Sequence, residues 1–314
     1  MTTPMQPSVP DSVPATTPGG TTTMREIDSQ PEVWRGVLER TAALTELLAA
    51  PGERVLFIGC GTSAFVAHSL ATLREAAGLG ESDWAYASEV GPARPWDRVV
   101  AITRSGTTTE VLDAVRALRT ADAGPRVVAI TAVDGMPVAD LADDTVVLGE
   151  ADEESVVQTR FPTTVLILGR AAFGERVDHL PAECRAALAT TRPDPASFEH
   201  FVYLGRGWCQ GLADEAALKI REAAQAWAES YPALDFRHGP IAVAGARSHV
   251  WVFGPVPDGL ADDVRSVGAT VRESTHDPLV ELVLAQRLAA DLAAARGLDP
   301  DAPRHLTRSV VLDA

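Results

Sequence analysis

Apolar residues at Trp34, Val37, Leu38, Ala42, Leu44 and Leu48 recur with helical spacing, which predicts an amphipathic helix from Pro31 to Ala50. Beyond it the chain alternates short apolar runs with helix-period stretches. RVLFIG (54–59) ends in glycine and leads into a helix over about 63–77, and RVVAIT (98–103) leads into a helix over about 108–120. RVVAIT again (126–131) and TVVLG (145–149) are further strands, with a helix over about 163–174. Alternation of this kind predicts a parallel sheet with helices on both faces.

A second round follows TRPDPASFEH (191–200), whose prolines and polar residues mark a linker. FVYLGRG (201–207) is a strand and 211–228 a helix; HVWVFGP (249–255) and ATVRE (269–273) are strands, and 278–296 is an Ala/Leu-rich helix. Both rounds open with a strand ending in Gly-x-Gly, at 59–61 and 205–207, which suggests an internal duplication. Residues 1–23 are rich in Thr, Pro, Ser and Gly and are expected to be a disordered tail. Met24 opens the first patterned stretch, MREIDSQPEVW, so either Met1 or Met24 could start the working protein. The expected organisation is a tail (1–23), a first unit (24–190) and a second unit (191–314).

Composition narrows the partners. The 314 residues carry a formal net charge of −16, which repels nucleic-acid phosphates and anionic lipid, so neither nucleic acid nor membrane is expected as a partner. A hydrophobic share of 46% supports a large core and excludes disorder of the whole chain. Cys60, Cys184 and Cys209 lack CxxC spacing, so no disulfide framework or zinc site is indicated. With no long apolar run and no signal-peptide pattern, a cytoplasmic location is expected. Among the 27 basic residues only Lys219 is a lysine.

Three stretches carry chemistry. Gly59-Cys60-Gly61-Thr62-Ser63 is a tight glycine turn at a helix N-terminus, where backbone amides, two hydroxyls and the helix dipole favour an anion. Gly59, Gly61 and Ala64 also satisfy the dinucleotide fingerprint, with Glu89 as a ribose acceptor, so a nicotinamide-dependent dehydrogenase stays open. The next strand end, Thr103-Arg104-Ser105-Gly106-Thr107-Thr108-Thr109-Glu110, gathers five hydroxyls around one glycine. A phosphate monoester needs several short donors converging on three oxygens, whereas helix capping accounts for one or two. Strand ends of a doubly wound sheet meet at one crevice, so both clusters would face one ligand. Farther on, Glu215, Lys219 and Glu222 fall at i, i+4 and i+7 on one helical face, which fits a solvated charge stripe as well as a site. His238 lies in a loop between Arg237 and Gly239-Pro240, either structural or catalytic.

Taken together, these motifs resemble the sugar isomerase (SIS) domain family. The resemblance covers residues 24–314 and rests on the opening from Glu26 to Pro31, GCGTS, TRSGTTTE, LGRG (204–207), EAALKIRE (215–222), RHGPIA (237–242) and PRHLTRSVV (303–311). The arrangement is similar to the isomerase half of glucosamine-6-phosphate synthase and to stand-alone amino-sugar phosphate isomerases and deaminases. It implies an α/β fold of two tandem doubly wound, flavodoxin-like SIS domains with parallel sheets. It also implies that Thr62 and Ser63 line the sugar pocket, that Thr103, Arg104, Ser105 and Thr108 hold the phosphate, and that Val156 offers a backbone contact. Glu222 matches the family's base for proton transfer between C1 and C2, Lys219 its charged neighbour, and His238 the group assisting ring opening. That histidine is supplied by a neighbouring subunit in the synthase, so a homodimer is implied.

The sequence also departs from the synthase. Met24 is not followed by the cysteine that a glutamine-hydrolysing domain needs at its start, so no glutaminase activity is expected. Arg104 stands where the synthase has Gln, Thr107 where it has Glu and Arg308 where it has Lys, which suggests a more positive phosphate loop and leaves Arg308 a substrate-binding candidate. The leading expectation is an intracellular enzyme acting on glucosamine 6-phosphate or its N-acetyl form by C2 proton abstraction, as an isomerase or deaminase, with no cofactor and no metal. A lyase eliminating the 3-hydroxyl and a non-catalytic phosphosugar sensor are the alternatives.

Overall fold

The computed structural model of the chain describes residues 20–91, 94–119, 124–190 and 194–312. In order, its regular elements are α1 (Thr21–Leu38), α2 (Thr41–Ala49), β1 (Val55–Gly59), α3 (Thr62–Ala76), β2 (Ser82–Tyr86), β3 (Arg98–Ile102), α4 (Thr109–Arg119), β4 (Arg126–Thr131), α5 (Pro137–Leu141), β5 (Asp144–Val147), α6 (Arg160–Ala172) and α7 (Leu180–Leu188). A second set follows: β6 (His200–Gly205), α8 (Cys209–Ala224), β7 (Trp227–Pro232), β8 (Ser248–Val252), α9 (Leu260–Ser266), β9 (Thr270–Glu273) and α10 (Pro278–Ala295).

These elements form an α/β fold with two parallel sheets, ordered β2-β1-β3-β4-β5 and β7-β6-β8-β9. In each, strand order reverses next to the first strand, between β1 and β3 and between β6 and β8. Such a reversal opens a crevice at the carboxyl edge. Strands β1, β3 and β8 are buried along their whole length, as strands of a parallel sheet covered on both faces must be. One apolar core runs through both units, from Phe57 and Leu70 to Tyr203, Trp251 and Leu282. Helix α10, apolar on nearly every side, is sunk in it. Helices α3 and α8 cross closely because Gly211 has no side chain: a Cβ there would lie 2.3 Å from the Phe65 carbonyl oxygen.

Several expectations need correction. The helix expected over 31–50 is two helices, and α1 starts at Thr21, ten residues early and with Pro31 in its interior. The first turn of α1 has no acid of its own; Asp301 accepts from the Thr22 and Thr23 amides and the Thr23 hydroxyl, and Asp299 accepts from the Gly20 amide. The expected tail is therefore ordered at Gly20–Thr23; residues 1–19 lie outside the described residues, as do 191–193 of the expected linker. Strands β2 and β7 were not anticipated. Both are edge strands with half-buried, mixed sequences (SDWAY and WAESYP), so neither shows an apolar run.

Candidate active site

Strand β1 delivers the first part of the site. A Cβ on Gly59 would lie 2.6 Å from the Ser63 backbone, so this glycine is needed for α3 to begin against the strand end, whatever its role in a fingerprint. Thr62 and Ser63 open α3, both buried. Across the α3–α8 crossing, the Lys219 ammonium donates to Thr62 Oγ1 at 3.2 Å and to Glu222 Oε2 at 2.5 Å, and its Nζ lies 3.4 Å from Glu215 Oε1. The helical face, which by spacing fits a solvated stripe as well as a site, is largely interior: Lys219 and Glu215 have side-chain exposures of 1% and 2%, against 19% for Glu222. The single lysine is a cation fixed between two carboxylates, and only one of these reaches solvent.

Burial alone would lower the Lys219 pKa, but Glu215 and Glu222 together hold the ammonium above the usual lysine value. Burial pushes Glu215 up to about 7 against the pull of Lys219, and the Glu222 carboxylate adds to the rise. Lys219 therefore stays charged while Glu215 titrates near neutrality. Spacing puts Glu215 on the same helical face as Lys219 and Glu222, but its buried environment comes from the crossing of two helices far apart in sequence.

Strand β3, paired with β1 across the crevice, ends in the hydroxyl loop. Gly106 takes φ 70°, and a Cβ there would meet Met136 Cβ at 2.5 Å, so only glycine allows this turn. Thr103 Oγ1 lies 3.4 Å from Thr108 Oγ1 and accepts from the Gly106 amide at 3.2 Å. Ser105 Oγ accepts from the Thr107 amide at 3.2 Å and from the Thr107 hydroxyl at 3.0 Å.

Arg104 points elsewhere. It is 2% exposed; Nη1 donates to the Ser155 carbonyl at 2.9 Å, and Nη2 donates to the carbonyls of Val156 at 3.3 Å and Arg308 at 3.0 Å. Glu153 Oε2 lies 3.7 Å from its Nη1. Two of its guanidinium nitrogens are thus taken up by backbone carbonyls, and its charge faces the Glu153 carboxylate rather than open solvent. Arg308 is likewise engaged, donating to the Glu153 carbonyl and the Asp152 carboxylate, so both arginines serve as struts under the segment carrying Val156. The other side of that segment is held by α1, whose Glu26 accepts from the Glu154 amide at 2.6 Å and the Ser155 amide at 3.4 Å. Glu153, itself buried, accepts from the Thr159 and Arg160 amides at 2.5 and 2.8 Å at the start of α6.

Lys219 is brought to Thr62 and Glu222 at the start of α3, next to Ser63, while Thr103, Ser105 and Thr108 gather at the end of the neighbouring strand β3. His238 is not among them. It ends a short 3-10 turn, is exposed to solvent, and its side chain forms no hydrogen bond or ion pair within the described chain. Among the described residues no group of acids, histidines or cysteines could hold a metal ion, and no helix is long and apolar enough to cross a membrane.

The architecture is that of a hydroxyl-rich strand-end loop and a buried Lys–Glu cluster, and the SIS domain model matches residues 47–173. The chain belongs to the SIS domain family. It is 30% identical to the isomerizing glutamine–fructose-6-phosphate aminotransferase of Aeropyrum pernix, over 92% of this chain and 57% of that protein. Against the same enzyme of Sulfurisphaera tokodaii it is 27% identical, over 83% of this chain and 50% of the relative. The chain thus spans about half the length of these curated relatives. Glucosamine-6-phosphate deaminase of Thermotoga maritima superimposes with a TM-score of 0.82 at 26% identity, covering 93% of this chain and all of that one. Tagatose-6-phosphate ketose/aldose isomerase of Escherichia coli shares the fold, with a TM-score of 0.76 at 22% identity over 94% of this chain and 97% of that one.

Proposed function

We propose that the chain is a cytoplasmic phosphosugar enzyme built of two tandem SIS domains, acting on an amino-sugar 6-phosphate with Glu222 as the base. The observation that carries the proposal is the buried cluster at the α3–α8 crossing, where Glu222 alone is open to solvent and lies 2.5 Å from the Lys219 ammonium. A carboxylate so placed can take the proton from C2 of an open-chain aldose 6-phosphate, and the adjacent cation stabilises the negative charge that develops. The resulting enediol or enolamine, reprotonated at C1, gives the ketose or the ketimine. When C2 bears an amine, water adds to that ketimine and ammonia leaves, which is deamination. The phosphate would sit on the Thr103, Ser105 and Thr108 hydroxyls. The free, exposed His238 fits a role in a neighbouring subunit's site, which makes a homodimer part of the proposal.

Incubation with glucosamine 6-phosphate and with its N-acetyl form, followed by mass spectrometry of products, tests the reading. Turnover of the first to fructose 6-phosphate and ammonia is expected; absence of turnover of either hexosamine phosphate would overturn it. The Glu222→Gln variant is expected to bind glucosamine 6-phosphate yet lose at least about a hundredfold in kcat, the usual scale of general-base catalysis.

A further inference from the structure

The last described residues of the chain lie across the hydroxyl loop. Arg104 donates to the Arg308 carbonyl at 3.0 Å, the Thr109 amide at the start of α4 donates to the Val310 carbonyl at 3.2 Å, and the Leu312 amide donates to Thr109 Oγ1 at 2.9 Å. Between these anchors the Ser309 hydroxyl lies 3.0 Å from Ser105 Oγ and 2.9 Å from Thr107 Oγ1. With the 3.0 Å contact between Thr107 and Ser105, three hydroxyls from segments some two hundred residues apart close a triangle.

We infer that Ser309, together with Thr107, is a phosphate-binding residue of this site, an assignment that rests on the function proposed above. Each of the three hydroxyls carries one rotatable proton and satisfies its neighbours while no anion is present. An oxygen of a phosphate above the triangle would draw those protons to itself, without any charged side chain having to be uncovered. The neutral donors matter more here because the Arg104 guanidinium is turned to backbone carbonyls. Backbone anchors on both sides of Ser309 fix its hydroxyl, so it meets a ligand already oriented. Thr107, in turn, offers a donor where an acidic side chain would repel the phosphate.

The dissociation constants of glucosamine 6-phosphate and of unphosphorylated glucosamine, measured by calorimetry for the parent, Ser309→Ala and Ser309→Thr, test this. Loss of one hydrogen bond to a charged group is expected to weaken glucosamine 6-phosphate binding about tenfold in Ser309→Ala, while Ser309→Thr retains the parent affinity within about threefold. Glucosamine binding should respond equally little to both. A parent that turns over glucosamine 6-phosphate but whose affinity is unchanged or improved in Ser309→Ala would overturn this assignment alone. A parent that neither binds nor converts the phosphosugar would overturn it together with the proposed function.

Discussion

Replacing Lys219 with Met keeps the approximate length of the side chain and deletes its charge, which isolates the ammonium's electrostatic part. Lys219 is completely enclosed, so solvent does not screen its attraction for Glu215. Breaking a buried pair by removing one partner costs roughly 3–5 kcal/mol. The cost should depend on pH, and its sign follows from Glu215. That carboxyl is held at about 7 in the folded chain against 4.5 for a free glutamate, so the unfolded chain releases its proton first and stability falls as pH rises through that window. Over the window the loss is on the order of 3 kcal/mol. Lys219 is the largest influence opposing the rise, and its removal moves the upper end of the window above 7. Urea unfolding followed by circular dichroism at pH 5 and pH 8 measures this. Relative to the parent, Lys219→Met should lose about 1 kcal/mol more stability at pH 8 than at pH 5, because the parent has already released the Glu215 proton above pH 7 while the variant still holds it. Adding Glu215→Gln should remove that extra loss at pH 8, because the titrating group is gone. Equal losses at the two pH values, or no rescue, would refute this account of the cluster.

Two further outcomes follow from neighbouring features. Lys219→Arg places a larger, forked cation in a pocket closed by Thr62, Glu215 and Glu222, and strain from overpacking there is roughly 1–3 kcal/mol. The variant should stay folded by circular dichroism while kcat on glucosamine 6-phosphate falls by at least about tenfold; unchanged kinetics would make the choice of lysine immaterial. Asp301→Ala removes the acceptor for two amides and a hydroxyl at the start of α1, an N-cap loss of about 1 kcal/mol. For a chain of this size it should appear as a drop of about 2–4 °C in Tm by differential scanning fluorimetry, and an unchanged Tm would deny Asp301 its capping role.

Periodicity located the buried strands of both sheets and most long helices, because continuous apolar runs and 3.6-residue spacing are imposed by burial itself. It was blind to β2 and β7, where an edge position removes the need for apolar residues on both faces. The start of α1 escaped because its cap is supplied by Asp301, far away in sequence, and local composition there resembles an unstructured tail. Side-chain chemistry divided in the same manner. The spacing of Glu215, Lys219 and Glu222 placed them on one face of α8, but only the approach of α3 at Gly211 turns that face inward and separates a buried carboxyl from an accessible one. Arg104 shows the converse: its place in the hydroxyl motif suggested a phosphate ligand, whereas its reach let three carbonyls from distant segments claim it. Ser309 carried no signal of its own, being one hydroxyl in a polar stretch until the chain folds it back onto Ser105.

A chain with one lysine presents amine-directed reagents with only two targets, the α-amino group and Lys219 Nζ. In the native protein the second is enclosed, protonated and bonded to Thr62 and Glu222, so an acylating ester has nothing to attack there until α3 and α8 part. The rate at which a peptide containing residue 219 acquires the label is then a single-site clock for opening of the α3–α8 crossing, and it needs no engineered probe.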